Sequence, residues 1–153
     1  MGALELKVPP PIIALLIGAA MWIASLSGPS VQFPLLVRVA VFVTIAVFGG
    51  ATALAGDLEF KRAGTTINPL KPEKTTTLVT SGVYGLTRNP MYVGLALILL
   101  GWVAFLCSAW TLLGPVAFVL YISRFQIVPE ERILSAKFGA AYTEYTSRVR
   151  RWL

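Results

Sequence analysis

Long runs of apolar residues alternate with polar connections along most of the chain. The runs cover approximately residues 11–27, 34–55, 90–106 and 109–127, and a helix needs about 20 apolar residues to span a bilayer. The first and third runs are short for this purpose. The pattern therefore predicts an all-α polytopic membrane protein with about four transmembrane helices, organised as a single domain over residues 1–153.

The first run also has features of a secretory signal peptide. Lys7 precedes it and small residues follow Leu26, as in a cleaved leader. Glu5, however, weakens the positive amino-terminal region, and the second run follows within a few residues. We therefore expect a membrane helix here, with a cleaved leader as the alternative.

A polar, glycine-containing loop at residues 78–92 leads directly into the third run. Asn89 is a favoured N-cap residue and Pro90 suits the first helical position, so a helix is predicted to begin at Pro90. Its free backbone N–H groups, with Arg88 beside them, suit a carboxylate or a phosphate, and neighbouring tyrosines offer flat apolar faces. The alternative is that these residues only cap and anchor a membrane helix.

Composition supports a membrane protein and excludes several kinds of site. The chain is 56% hydrophobic and 13% charged. It has no histidine and a single cysteine, Cys107, so we expect no metal and no intramolecular disulfide, and Cys107 is interpreted as a small core residue. The net charge of +6 accompanies no nucleic-acid motif, so we attribute it to contact with anionic membrane lipids.

Basic residues concentrate on one predicted side of the membrane. Residues 28–33 and 107–108 carry no charge, whereas the central loop and the tail contain Lys61, Arg62, Lys71, Lys74, Arg88, Arg132, Lys137, Arg148, Arg150 and Arg151. The positive-inside rule therefore predicts that both termini and the central loop are cytoplasmic, and we expect a bacterial cytoplasmic membrane. Arg38, near the outer end of the second span, is expected to anchor that helix or to pack against a neighbour.

The third and fourth runs are predicted to form a tight antiparallel hairpin, with Gly94 and Gly101 permitting close helix contact. The hairpin returns Glu130 and Glu131 to the side of the membrane where Asn89 lies. We therefore predict that these acids face the polar loop. Residues 57–62 are expected to extend the second helix, and an amphipathic helix along the membrane surface is predicted from Ile133, Leu134, Phe138, Tyr142 and Tyr145.

Several motifs in the second half of the chain resemble those of the isoprenylcysteine carboxyl methyltransferase family. That family belongs with a wider group of membrane methyltransferases that includes phospholipid methyltransferases. The motifs are residues 78–84, residues 88–94, the Glu130-Glu131 pair and residues 138–149. Each motif is weak alone, but together they occur in the order and spacing of the family.

The resemblance implies S-adenosylmethionine as the methyl donor, S-adenosylhomocysteine as the product, and a lipophilic or lipidated acceptor. The cofactor region would comprise residues 76–92 and 124–145. The implied cofactor-binding residues are Thr76, Thr77, Leu78, Val79, Tyr84, Asn89, Pro90, Met91, Tyr92 and Glu130, with Arg88 and Glu131 as catalytic candidates.

The chain departs from the family at two positions. Asn89 replaces the histidine of the eukaryotic members, and Gln126 stands where those enzymes have a substrate-contacting arginine. Gln126 and nearby Arg124 are the candidate substrate-binding residues, although side chains two positions apart on a helix point in different directions. The acceptor is thus left open between an isoprenylcysteine-type carboxylate and a phospholipid amine, and a non-catalytic lipid- or partner-binding module is the alternative from another class.

Overall fold

A computed structural model describes residues 5–65 and 74–153, so Lys71 lies outside the described residues. Within these ranges the secondary structure is helical, apart from an isolated bridge between Ser30 and Ser108. The helices are α1 (Pro10–Ser25), α2 (Leu35–Arg62), α3 (Pro90–Leu106), α4 (Leu113–Ile122), α5 (Val128–Phe138) and α6 (Ala140–Arg148). The predicted all-α class is confirmed for the described part of the chain.

Two helical segments are long and apolar enough to cross a membrane. One is α2, with 28 residues, and the other is the continuous helical stretch Ala109–Phe138, with 30 residues. The remaining apolar helices, α1 and α3, have 16 and 17 residues. Helix α3 begins at Pro90 as predicted, and α2 continues through Arg62. The four-span topology stays a prediction.

Helices α2 and α3 pack closely as an antiparallel pair through small residues. A Cβ atom added to Gly94 would lie 2.8 Å from the Cβ of Ala53 and still closer to the carbonyl oxygen of Gly49, and Gly101 faces Phe42. The prediction that Gly94 and Gly101 serve the α3–α4 hairpin is therefore wrong. The glycine positions face α2 because that is where the helix backbones approach most closely.

The turn after α3 contains a residue in the left-handed backbone conformation and is contacted by an arginine of α2. Cys107 has φ +52° and is half-buried, so it forms the C-cap of α3 instead of filling the core as predicted. The Nε of Arg38 donates a 2.6 Å hydrogen bond to the carbonyl oxygen of Phe105, and its guanidinium lies 4.9 Å from the centre of the Phe105 ring. Of the two roles expected for Arg38, helix packing is the one observed.

The main core lies between α1, α3 and α4. Met21, Leu99, Phe118 and Ile122 are buried there. The carbonyl of Gly18 also accepts a 3.1 Å hydrogen bond from the indole of Trp102. Helix α1 thus packs against α3 and α4 in the bundle.

The tail forms two helices, α5 and α6, where one amphipathic helix was predicted, and its position along the membrane surface stays a prediction. Gly139 has φ +51° and separates α5 from α6, since this conformation strains most other residues. The break redirects the chain, and Tyr142 and Tyr145 become buried, each with 5% relative exposure. The two tyrosines, whose spacing suggested a lipid-facing surface, therefore pack α6 against the rest of the protein.

Candidate functional site

A cleft lies where the loop before α3 meets α5 and α6, beside the carboxyl end of α2 and the amino end of α3. The predicted convergence of the polar loop with the two acids is therefore present in the structure. The predicted site residues that line the cleft are Thr77, Leu78, Val79, Tyr84, Arg88, Asn89, Met91, Tyr92, Glu130 and Glu131.

The two adjacent acids have different surroundings. The carboxylate of Glu131 pairs with two guanidinium groups, at 3.2 Å from Nη1 of Arg88 and 2.6 Å from Nη2 of Arg151. A second bond of 3.0 Å from the Nε of Arg151 makes that contact bidentate. Charge-assisted bidentate pairs are among the stronger polar interactions. Glu131 and Arg88, the two catalytic candidates, thus form part of an ion-pair cluster in the wall of the cleft.

Glu130 has polar partners but forms no ion pair with the described residues. Its Oε1 accepts a 2.6 Å hydrogen bond from the Tyr92 hydroxyl and a 3.0 Å bond from Nε2 of Gln126. Gln126 is buried in a π-helical turn, Ser123–Ile127, a distortion that frequently occurs at functional sites. Both hydrogen bonds orient the Glu130 carboxyl group, which has no cationic partner within residues 5–65 and 74–153.

Three tyrosines close the aromatic side of the cleft. The Tyr145 hydroxyl donates a 2.8 Å hydrogen bond to the carbonyl oxygen of Tyr84, whose ring packs edge-on against Phe60 at 5.3 Å. Burial raises the pKa of Tyr142 to about 12 and raises the pKa of both Tyr84 and Tyr145 above the usual value. All three phenols therefore remain protonated at neutral pH.

The chain after α6 forms a strap, residues 149–153, over the start of α3. The Nδ2 of Asn89 donates a 2.9 Å hydrogen bond to the carbonyl oxygen of Arg151, and the Arg88 backbone N–H donates to the carbonyl of Arg150 at 3.0 Å. The indole of Trp152 donates to Ser123 at 3.1 Å. Asn89 occupies the N-cap position, but its side chain makes no capping bond. The predicted side-chain cap is therefore wrong, and the Asn89 side chain contacts the strap through its Nδ2 instead.

Four predicted site residues are not among those lining the cleft. Thr76 hydrogen-bonds to Thr65. Arg124 is exposed and pairs with Glu5 at 3.3 Å. The other two lie next to residues of the cleft wall. Pro90 is buried near Gly56, and Gln126 donates a hydrogen bond to Glu130. Arg124 and Gln126 diverge because they lie two positions apart on a helix.

Sequence reasoning did not assign several residues that line the cleft. Helical spacing predicted that the tail aromatics share one face of a helix at the membrane surface, not that they line a cleft, and the others lie in apolar or β-branched stretches with no chemical signature. The missed residues are Phe60, Thr75, Ile127, Leu134, Tyr142 and Tyr145.

The strap contact predicts the effect of replacing Asn89 by aspartate. Asparagine and aspartate are about equally good N-caps, so a capping side chain would tolerate the change. A carboxylate cannot donate to the Arg151 carbonyl, and Asn89→Asp is expected to lower the free energy of unfolding by about 1–2 kcal/mol. Denaturant unfolding in detergent, followed by circular dichroism, measures the change. Wild-type stability in this variant would contradict the strap contact.

Comparisons with known proteins find a matching family model and several relatives. A family model described as phospholipid methyltransferase matches residues 37–141. Protein-S-isoprenylcysteine O-methyltransferase B of Arabidopsis thaliana is 30% identical over 109 residues, which cover 69% of this chain and 54% of that protein. A probable protein-S-isoprenylcysteine O-methyltransferase of Oryza sativa subsp. japonica is 40% identical over 75 residues, covering 47% of this chain and 38% of the relative.

A shorter uncharacterized protein of Haemophilus influenzae is 48% identical over 63 residues, covering 41% of this chain and 100% of that protein. No solved structure matches. The chain spans about half the length, or less, of the plant relatives it matches. Because the family model matches more than half of the residues, this chain belongs to the phospholipid methyltransferase family.

Proposed function

We propose that the protein is a membrane methyltransferase that takes its methyl group from S-adenosylmethionine and transfers it to a lipophilic acceptor entering from the bilayer. The cleft between the polar loop, α5 and α6 is the proposed active site. We further propose that the site and both termini are cytoplasmic in a bacterial cytoplasmic membrane, in accordance with the distribution of basic residues.

The surroundings of Glu130 are the observation that carries this proposal. Glu130 is a buried carboxylate, oriented by Tyr92 and Gln126 and without an ion pair from the described residues. A buried charge is costly unless it is paired, so the site suits a ligand that brings its own cation. The ammonium group of a methionyl ligand is such a cation, whereas neighbouring Glu131 is already paired with two arginines.

The carboxylate of a methionyl ligand also has suitable partners in the cleft. The Nε of Arg88 is buried and has no hydrogen-bond partner in residues 5–65 and 74–153, and the first turn of α3 has no side-chain cap. Both features suit a carboxylate. Tyr84, Tyr142 and the aliphatic side chain of Val79 provide the apolar surface that a purine requires. The residues present therefore fit S-adenosylmethionine.

When bound, S-adenosylmethionine supplies a methyl group already activated by its sulfonium. The chain's own residues then need mainly to align the reactants and exclude water. Glu130 and Arg88 would fix the two ends of the amino-acid group, while the buried tyrosines would keep the cleft dry. This assignment makes Arg88 a binding residue and Glu131 a positioning residue, instead of the general catalytic roles expected from the sequence.

Two classes of methyl acceptor are compatible with the proposal, an isoprenylcysteine carboxylate and a phospholipid amine. The names of the plant relatives describe O-methylation of protein S-isoprenylcysteine, and the name of the family describes phospholipid methylation. Arg124, a substrate-binding candidate from the sequence, is exposed and paired with Glu5, and it does not line the cleft. Incubation with radiolabelled donor and either an isoprenylcysteine derivative or phosphatidylethanolamine distinguishes the two classes by which product is labelled.

Calorimetric titration with S-adenosylhomocysteine tests the proposal. We expect one-site binding to the detergent-purified wild type and a tenfold to hundredfold weaker affinity for Glu130→Gln, because the ammonium loses its counter-charge. Glu144→Gln is the matched control, since Glu144 is an exposed acid on α6 that pairs with Arg148. Equal affinity of Glu130→Gln and wild type would refute the role of Glu130. No binding by folded wild type would favour a non-catalytic lipid- or partner-binding module.

A further inference from the structure

A second cavity, with a volume of about 460 Å³, lies at the opposite end of the α2–α3 pair from the proposed active site. We call it the Arg38 groove. Its walls come from the first turns of α2, the last turn of α3 and the segment that follows α3. Val37, Val41, Val103, Ala104 and Leu112 supply apolar lining, and Arg38 is the one charged residue among the lining residues.

Arg38 has donor capacity that the described protein does not use. Its Nε is bonded to the Phe105 carbonyl, but its two terminal nitrogens form no hydrogen bond or ion pair with residues 5–65 or 74–153. The connecting segments 26–34 and 107–112 contain no acidic residue that could neutralise it. A guanidinium always carries its charge, and on an apolar surface it requires an anion or water.

The apolar part of the groove favours an acyl chain over a small ion. Val37 and Leu112 are 47% and 54% exposed, and both lie on a surface that is apolar around Arg38. A free phosphate would leave this surface uncovered, whereas a lipid tail would cover it. The guanidinium fork matches two oxygens of a phosphate in bidentate geometry.

We propose that the Arg38 groove is a binding site for an anionic phospholipid. The phosphate contacts the terminal nitrogens of Arg38, and one acyl chain lies between α2 and α3 over Val41, Val103 and Ala104. The site is separate from the proposed active site, at the far end of the same helix pair. This inference does not depend on the methyltransferase proposal.

Native mass spectrometry of the delipidated full chain in detergent tests the proposal. The probes are phosphatidylglycerol, the diacylglycerol with the same acyl chains, and inorganic phosphate. We expect saturable binding of one phosphatidylglycerol, at least tenfold weaker binding of diacylglycerol, and no displacement of the lipid by millimolar phosphate. Arg38→Gln is expected to weaken phosphatidylglycerol binding at least tenfold.

Two further variants keep the test independent of folding defects. Ala104→Leu leaves Arg38 in place but fills the groove, and it is expected to weaken lipid binding. Arg62→Gln removes an exposed arginine at the other end of α2, paired with Glu59, and is expected to bind lipid like wild type. Equal binding of both lipids, full displacement by phosphate, or wild-type affinity in both Arg38→Gln and Ala104→Leu would overturn the proposal.

Discussion

Gly94→Val is expected to lower the free energy of unfolding by at least ~3 kcal/mol, because the space at this position is filled by helix α2. A Cβ atom at residue 94 would overlap the carbonyl oxygen of Gly49 and approach the Cβ of Ala53 to 2.8 Å. Neither atom belongs to a flexible side chain, so the helices themselves would have to separate. Overpacking of this kind costs about 1–3 kcal/mol even where side chains can move aside.

Gly50→Val is the matched control for Gly94→Val. Gly50 lies on α2 beside Gly49, and a Cβ atom there would meet nothing within 4 Å. Valine is a better helix former than glycine, so this variant is expected to be as stable as wild type or slightly more stable. Unfolding in detergent micelles, followed by circular dichroism, measures both variants. Similar stability of the two would show that the close α2–α3 contact contributes little.

Glu131→Ala is expected to lower the free energy of unfolding by about 2–3 kcal/mol. The change leaves Arg88, whose side chain is 14% exposed, without its carboxylate, and an unpaired charge in a partly buried position is costly. The Arg151 side chain is 40% exposed, so solvent screens its share of the loss. Most of the expected effect therefore comes from Arg88.

Double-mutant cycles separate the two halves of this cluster. We expect a coupling energy of at least about 1 kcal/mol for Glu131 with Arg88 and also for Glu131 with Arg151. Glu144→Ala, which breaks the exposed pair with Arg148, is the control and is expected to change stability little. Additive effects of Glu131 and Arg88 substitutions would show that their ion pair does not stabilise the site.

The sequence predicted those features of the site that have local causes. Pro90 cannot donate a backbone hydrogen bond and its φ is already helical, so the start of α3 follows from two adjacent residues. The hairpin between α3 and α4 is short, and it must return Glu130 to the level of Asn89. These two local signals were sufficient to predict that the acids face the polar loop.

Details of the site that depend on long-range contacts could not be predicted. The sequence does not show that Glu131 is ion-paired and Glu130 is not, because the pairing depends on the position of Arg151, which lies 20 residues further along the chain. The role of Asn89 likewise depends on a carbonyl 62 residues away. A capping preference is local, whereas this contact depends on where a distant segment lies.

The sequence by itself determined the helical class, the start of α3 and the convergence of the loop with the acids, since apolar run length, proline chemistry and hairpin length act within neighbouring residues. Tertiary structure alone decided that Gly94 faces α2, that the tail folds back at Gly139, and that Glu130 is the acid without an ion pair. Each of these depends on the rotation of one helix relative to another. That rotation is fixed by packing over the whole bundle, and no single segment of sequence specifies it.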